Sequence, residues 1–398
     1  MRLSKQLYQN KLQIPCDLEE IEIYKLLQIA GFVDFPYSGF PQFMPLGQKI
    51  INEICRIVRT KAERFGFSEV YLPLVQHRHF LEQSGRLKQF EREIFFLAQN
   101  NSSYMLSPTN EEFFLNITLK GVSSYKQFPI RLFQIADKFR DIQRPRGLMR
   151  SKQFMMCDMC SIDSTRSSLQ DSVDRFERTV QAVFKELDLK THRLQKNNGE
   201  YVDYMIICSD GETKVVVNSD DSYTYSDHDK SKPADLRASS LAMYFLFQVP
   251  DYVRECVLNR LRLSDLFMGT YGFGIQRCLH GIVQQHIDKL GINFPKSIRP
   301  FNVSIIPVDP REEAQISSAV ELYEIFLREG LNPVLDDRLN LMMREKASYS
   351  DFLGVPIKVF IGKSEVNDQK LTIKSRGDPF GQKVDRDDFI NHFWNYAK

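Results

Sequence analysis

Residues 139–163 read FRDIQRPRGLMRSKQFMMCDMCSID. Arg140, Arg144, Arg146, Arg150 and Lys152 lie within this stretch, which is broken by Pro145 and Gly147. Apolar runs flank the basic part, RLFQIA before it and FMMCDMC after it. The pattern predicts a strand, a positively charged turn and a second strand. Arginines at the lip of a hairpin present planar, permanently charged forks. Such forks hold carboxylates and polyphosphates bidentately. A solvated basic hairpin is the plain alternative. The order of residues narrows the choice: Arg140 directly follows Phe139, and Phe154 stands four places after Arg150.

Upstream, residues 18–31 (LEEIEIYKLLQIAG) have helical periodicity and a glycine stop. Gly47 to Phe65 reads as a long amphipathic helix with Ile50, Ile51, Ile54, Ile57 and Val58 on its apolar side, ended by Gly66. Ser68 to Val75 reads as a strand that closes on Pro73, and LEQSGR follows at 81–86. The segment Pro108-Thr109-Asn110-Glu111-Glu112 opens another helical stretch. Two carboxylates at a helix start complement the helix dipole.

Downstream, residues 165–190 form an amphipathic helical pattern, and MIIC and KVVV predict strands around a Ser-Asp-Gly turn. The run of Ser and Asp from Ser219 to Asp229 reads as a solvated loop, without the spacing of an EF-hand. Met268 to His286 (MGTYGFGIQRCLHGIVQQH) places Gly269, Gly272 and Gly274 before Arg277, which opens an amphipathic helix. Glycines let backbone approach a ligand closely, and helix starts bind anions. FPKSIRPFN at 294–302 reads as a linker. Beyond it, strands and helices alternate, which predicts a small α/β domain.

A chain of 398 residues should make two domains. Its net charge of +2 carries no global nucleic-acid signal, so any such surface must be local. No apolar run reaches the ~20 residues that span a bilayer. Seven scattered cysteines, an odd number, point to a reducing compartment. Cys157 and Cys160 form a CxxC without a second pair, so they read as separated core or pocket thiols, and the histidines show no metal spacing. The basic start MRLSKQLYQNKL reads as mature protein, with a transit peptide as the alternative.

Phe139-Arg140 with Arg150-x-x-x-Phe154, and Gly272-x-Gly274-x-x-Arg277, resemble the second and third signature motifs of class II aminoacyl-tRNA synthetases. The text within the second motif, RPRGLMRSKQFMMCD at 144–158, together with LEQSGR and TNEE, is similar to bacterial-type prolyl-tRNA synthetases. The resemblance implies an α+β class II catalytic domain over 1–298, an antiparallel sheet with flanking helices. A small mixed α/β anticodon-binding domain would cover 299–398. It implies ATP-dependent activation of L-proline and its transfer to tRNA(Pro), with Mg²⁺ bridging the phosphates. Arg140 and Arg277 would be catalytic. Arg140, Arg150, Phe154, Gly272, Gly274 and Arg277 would hold ATP, with Phe154 stacked on adenine. Thr109 and Glu111 would hold the amino group of proline. Asp337 and Arg338, in an Asp-Asp-Arg that also reads as a strand-end turn, would touch tRNA. Residues 47–75 would form the interface of a homodimer. The family has no membrane segment and works in the cytoplasm, with a mitochondrion or other organelle as the alternative.

This chain departs from the family's pattern at several points. Ile142 stands where a glutamate accepts a hydrogen bond from the adenine amino group. Lys152-Gln153-Phe154 replaces Arg-Glu-Phe, Gln284 replaces a glutamate, and the loop lacks an aromatic residue between Arg146 and Gly147. In the hairpin region, Val202-Asp203-Tyr204 and Gly211-Glu212-Thr213 stand where the family has His-Glu-Phe and Gly-Glu-Asp. The stretch between the second and third motifs is too short for the family's editing domain, so hydrolysis of alanyl-tRNA(Pro) is not expected. The departures cluster near the ATP pocket and leave a second reading: a catalytically degenerate paralogue that keeps the fold and binds tRNA or a partner.

Overall fold

The computed structural model describes residues 1–5, 14, 18, 21–98, 103–196, 199–218, 222–226 and 236–393. The chain divides into two compact units, one of Phe35–Gln42 and Ile51–Gly281, the other of Met1–Asp34, Phe43–Ile50 and Ile282–Lys398.

The first unit is built on a sheet that has nine strands among the described residues. In chain order they are β1 (Ser68–Glu69), β2 (Ile130–Phe139), β3 (Gln153–Asp163), β4 (His192–Lys196), β5 (Tyr201–Ile207), β6 (Thr213–Val217), β7 (Tyr223–Tyr225), β8 (Leu236–Phe247) and β9 (Phe267–Gly274). The spatial path is β7-β6-β8-β9-β3-β2-β1, with β5 also on β8 and β4 on β5. All pairings are antiparallel except β1 with β2. The basic stretch is the hairpin that the sequence predicts: β2 and β3 pair from Ile130↔Ile162 to Phe139↔Gln153. Apolar side chains alternate along β3 so that Cys157 and Cys160, both fully buried, face opposite sides.

Apart from two short helices, His79–Gln83 and Leu87–Phe90, the α-helices described up to residue 286, across both units, are α1 (Ile23–Ile29), α2 (Pro45–Arg64), α3 (Glu111–Gly121), α4 (Arg166–Glu186), α5 (Asp251–Leu261) and α6 (Ile275–His286). In α2, proline occupies the first helical position, where its missing N–H costs nothing, and the predicted isoleucines are all buried. Helix α4 starts on Thr165, whose hydroxyl accepts from the Ser168 N–H at 3.1 Å. It buries Leu169, Val173, Phe176, Val180 and Val183. Phe176 stacks on Tyr271 of β9 with ring centroids 4.7 Å apart. That contact holds the glycine-rich strand against the helix.

Several sequence expectations are corrected. Helix α1 is shorter than 18–31; it starts at Ile23 and stops where Gly31 takes φ +73°. The strand expected over Ser68 to Val75 is only β1, followed by a separate short strand, Val75–His77. Pro73 cannot donate to the ladder, and the Leu72 carbonyl accepts the Gln134 side-chain amide at 2.8 Å instead. The strands around Ser209-Asp210-Gly211 do not pair with each other. Ala238 of β8 pairs with Ile207 on one edge and Thr213 on the other, so the turn carries the chain across the end of β8. Within the supposed solvated loop, Tyr223–Tyr225 form β7; residues 219–221 and 227–235 lie outside the described residues. The described residues between β3 and β9 belong to sheet strands, α4, α5 and their connections, and no separate editing domain occurs among them.

In the second unit, β10 (Val303–Pro307), β11 (Pro333–Leu335), β12 (Ile357–Ile361), β13 (Lys370–Ser375) and β14 (Gln382–Asp385) form a mixed sheet in the order β11-β10-β12-β13-β14. Helices α7 (Glu313–Arg328) and α8 (Met343–Phe352) pack on it. Val303, Ile305, Leu322, Phe326, Val359 and Phe389 form its core. This is the small α/β domain that the alternating pattern predicts.

Candidate active site

The β2–β3 hairpin, β5, β8, β9 and the start of α6 enclose a cavity of about 360 Å³, within the usual range for ligand sites. Arg140, Arg150, Phe154, Gly272, Gly274 and Arg277 all line it. They converge because β9 pairs with β3: Gly272 lies opposite Asp158 and Gly274 opposite Met156. A Cβ on Gly272 would come within 2.9 Å of the Met156 side chain, so glycine keeps that wall open.

The three arginines are held differently. Arg140 donates to the Pro108 carbonyl at 3.1 Å, and its guanidinium lies 5.4 Å from the Phe90 ring and 5.5 Å from the Phe154 ring. Burial pulls its guanidinium down from its usual range, while the charges of Glu111, Asp158 and Glu93 work the other way. Arg277 donates to the carbonyls of Met149 and Ser240, both at 2.9 Å. Arg150 donates to the Gln143 carbonyl at 3.3 Å and pairs with Glu212. Gln276 was not anticipated. Its buried amide donates to Ser151 Oγ at 2.9 Å and to the Leu148 carbonyl at 3.3 Å, and its oxygen accepts from the Met155 N–H at 3.3 Å. It thereby ties the third motif to the loop of the second.

Thr109 and Glu111 do not line this cavity. They adjoin it through Pro108, whose carbonyl carries Arg140. The Thr109 hydroxyl donates to the Glu111 carboxylate. Arg86, from LEQSGR, reaches Glu111 at 3.1 Å and Glu112 at 3.0 Å. Its guanidinium sits over Phe90 and Phe247, at 5.4 Å and 5.0 Å. Burial opposes charge on Glu111, yet Arg86 and the Thr109 hydroxyl hold its carboxyl below the usual range. Burial and the neighbouring Glu111 charge push Glu112 up. Below this pair, Gln76, Ser107, Asn110 and Gln134 form a buried chain of amide and hydroxyl hydrogen bonds of 2.7–2.9 Å. It fixes the start of α3 in place of a side-chain cap.

The departures have physical counterparts. Ile142 is buried and lines the cavity beside Leu148 and Met149. Its neighbour Asp141 pairs with the Lys152 ammonium, so neither charge faces a ligand alone. Lys152 also packs on Gly39, where any Cβ would come within 2.7 Å of its side chain. Asp203 is buried on the cavity wall and accepts from the hydroxyls of Tyr225 and Ser240, each at 2.6 Å.

In the second unit, Asp336 is fully buried and takes Arg338 bidentately at 2.7 and 2.6 Å. Arg338, itself 4% exposed, stacks on Tyr349 at 4.6 Å. Asp337 accepts from Arg2 and from the Ser4 N–H, both at 2.9 Å. These side chains bind the fold to itself. The structure gives Asp337 and Arg338 a packing role and does not expose them for RNA.

Residues 90–286 match the tRNA synthetase class II core domain (G, H, P, S and T), and residues 302–394 match the anticodon binding domain. The chain is similar to the proline–tRNA ligase of Bartonella quintana, with 26% identity over 99% of this chain and 100% of that one. It is similar to that of Brucella ovis, with 26% identity over 94% and 95%. Among solved structures it is similar in fold to Giardia lamblia prolyl-tRNA synthetase in complex with prolyl-adenylate (TM-score 0.70, 20% identity, 92% of this chain and 75% of that one). It is also similar to the Cryptosporidium parvum enzyme with L-proline and AMP (TM-score 0.73, 15% identity, 94% and 74%).

Proposed function

We propose that this chain, which belongs to the class II aminoacyl-tRNA synthetases, activates L-proline with ATP and transfers it to tRNA(Pro). The observation that carries this reading is the arrangement around Arg140. Its fork faces a cavity shared with Arg150 and Arg277, while its anchor, Pro108, leads directly to Thr109 and Glu111. A carboxylate oxygen of proline attacks the α-phosphorus of ATP, the bond to the bridging oxygen breaks, and pyrophosphate leaves with its charge. The proline carboxylate is already a nucleophile, so no general base is required. Arg140 neutralises charge at the α-phosphate, Arg150 and Arg277 hold the outer phosphates, and Phe154 offers a face to adenine. A terminal ribose hydroxyl of tRNA then attacks the mixed anhydride and AMP leaves. Mg²⁺ would supply charge neutralisation at the nucleotide phosphates. The oxygen donors on the wall (Asp203, Thr213, Ser239 and Ser240) are chemically suited to a hard cation.

Pyrophosphate exchange, run with each amino acid in turn, tests the reading. Exchange that depends on proline is expected, and exchange with another amino acid would overturn it. The second reading, a degenerate paralogue, draws on Ile142. Isoleucine cannot accept the adenine amino group, and Asp141 is engaged by Lys152. Wild-type ATP affinity should therefore be low and its preference over GTP blurred. Ile142→Glu should tighten ATP by about 1–3 kcal/mol and sharpen the choice of base, measured by nucleotide titration. Tight, ATP-selective binding by the wild type would refute this account of the position. An absence of proline activation in both forms would favour the paralogue.

Residues 47–75 are assigned to a two-fold homodimer interface. Tyr71, 84% exposed, and Val75, 49% exposed, are the apolar side chains that a partner copy would cover. Light scattering at micromolar concentration should report a dimer, and a monomer would count against the assignment.

A further inference from the structure

Glu212 is used by none of the roles above, yet it stands at the centre of the polyphosphate-binding arginines. One carboxylate oxygen meets Arg150 Nη1 and the other lies 3.3 Å from Arg277 Nη2. The other hydrogen bonds of these forks go to the carbonyls of Gln143, Met149 and Ser240, which carry no net charge. Among the ion pairs of the described residues, Glu212 is the carboxylate that engages both arginines. One anion bridging two guanidinium forks from distant segments mimics how adjacent phosphate oxygens would be held.

The backbone beneath Glu212 is fixed. Gly211 lies so close to β8 that any Cβ would fall 2.6 Å from Ala238 backbone. Its carbonyl accepts from Arg237 at 3.2 Å, and Asp210 lies 3.5 Å from Nε2 of the buried His280. The Glu212 side chain is about one-third exposed, at 32%, and turns on its own rotatable bonds.

We propose that Glu212 is an internal counter-ion of the polyphosphate subsite, which the triphosphate of ATP displaces on entry and which competes with pyrophosphate on exit. The inference rests on the reading of this cavity as the ATP site. It gives Glu212 a role in setting nucleotide affinity and product release. The pairs that must break are partly exposed, so the free-energy cost of displacing them is modest.

The test is calorimetric titration of the full chain with inorganic tripolyphosphate, without metal, proline or tRNA. Glu212→Gln keeps the shape and removes the charge. It should bind tripolyphosphate about tenfold more tightly than wild type, while AMP, which lacks the outer phosphates, binds alike. Pyrophosphate should inhibit the variant at correspondingly lower concentration. Glu212→Ser should shift affinity in the same direction and serves if the first variant does not fold. Unchanged or weaker tripolyphosphate binding would overturn the proposal. So would a loss of affinity for ATP seen only with Mg²⁺, which would make Glu212 a metal ligand. Because the titration needs no amino acid, a failure of the prolyl reading would appear separately, as absent proline-dependent exchange.

Discussion

Glu111→Ala is expected to abolish proline-dependent pyrophosphate exchange, by at least about a hundredfold, while leaving the protein folded. The carboxylate is held ionised by Arg86 and the Thr109 hydroxyl, and in the proposed function it would be the negative partner that the secondary ammonium of proline requires. A site built to pair a ligand's charge loses far more than one that merely packs it, because buried polar groups are left unmatched. The fold should survive because Arg86 keeps Glu112 at 3.0 Å and its two aromatic faces, and Glu112 keeps the Ser84 hydroxyl at 2.8 Å. Circular dichroism of the variant alongside exchange separates the two effects. Unchanged exchange, or exchange that runs with threonine, would sink the prolyl assignment.

Arg86→Leu is expected to destabilise the first unit by about 3–5 kcal/mol near neutral pH. It removes the cation that pairs with both buried carboxylates, which are then left charged, adjacent and poorly hydrated. The pH dependence has a definite sign. In the wild type, the Glu111 carboxyl is lowered, so it contributes stability that is present above its unfolded pKa and is lost as pH falls through the folded value. Without Arg86, burial and mutual repulsion raise both carboxyls. A raised folded pKa stabilises the protonated state, so the variant should gain stability as pH falls from neutrality towards the acid range. Urea unfolding of both proteins across pH 5 to 7.5 should show the gap closing in acid. A constant gap would mean that Arg86 acts by packing on Phe90 and Phe247 alone.

Much of the sheet was legible in the sequence because local rules and tertiary demands agree there. The β2–β3 hairpin has apolar runs on both sides of a turn rich in Pro, Gly and Arg, and the long helices carry their core on one face. The failures came where a backbone partner lay far away. The strand at Ser68 ends early because the Leu72 carbonyl goes to Gln134, a residue on another strand. The turn at Ser209-Asp210-Gly211 looked like a hairpin turn. Only the length of β8, which pairs on both edges, sends the two flanking strands to opposite sides. Tyr223–Tyr225 sat in a run of Ser and Asp, and pairing with β6 outweighed that composition.

By itself the sequence determined which side chains can do the chemistry. Arginine forks, a Thr-x-Glu and a glycine-rich turn into a helix are local patterns whose chemical capacities do not depend on the rest of the chain. It also determined that Ile142 cannot accept a hydrogen bond. Tertiary structure alone decided what those groups meet. Arg86 stands 25 residues before Glu111 in the chain and became its counter-ion only by folding. Gln276 gained its role from the loop it clamps, and Glu212 from two arginines brought together from the β2–β3 turn and the start of α6. Asp337 and Arg338 were drawn inward by Arg2 and Asp336. The reason is electrostatic. A charge's partner is set by proximity in space and by the burial that strengthens the pairing, and neither is written in the order of residues.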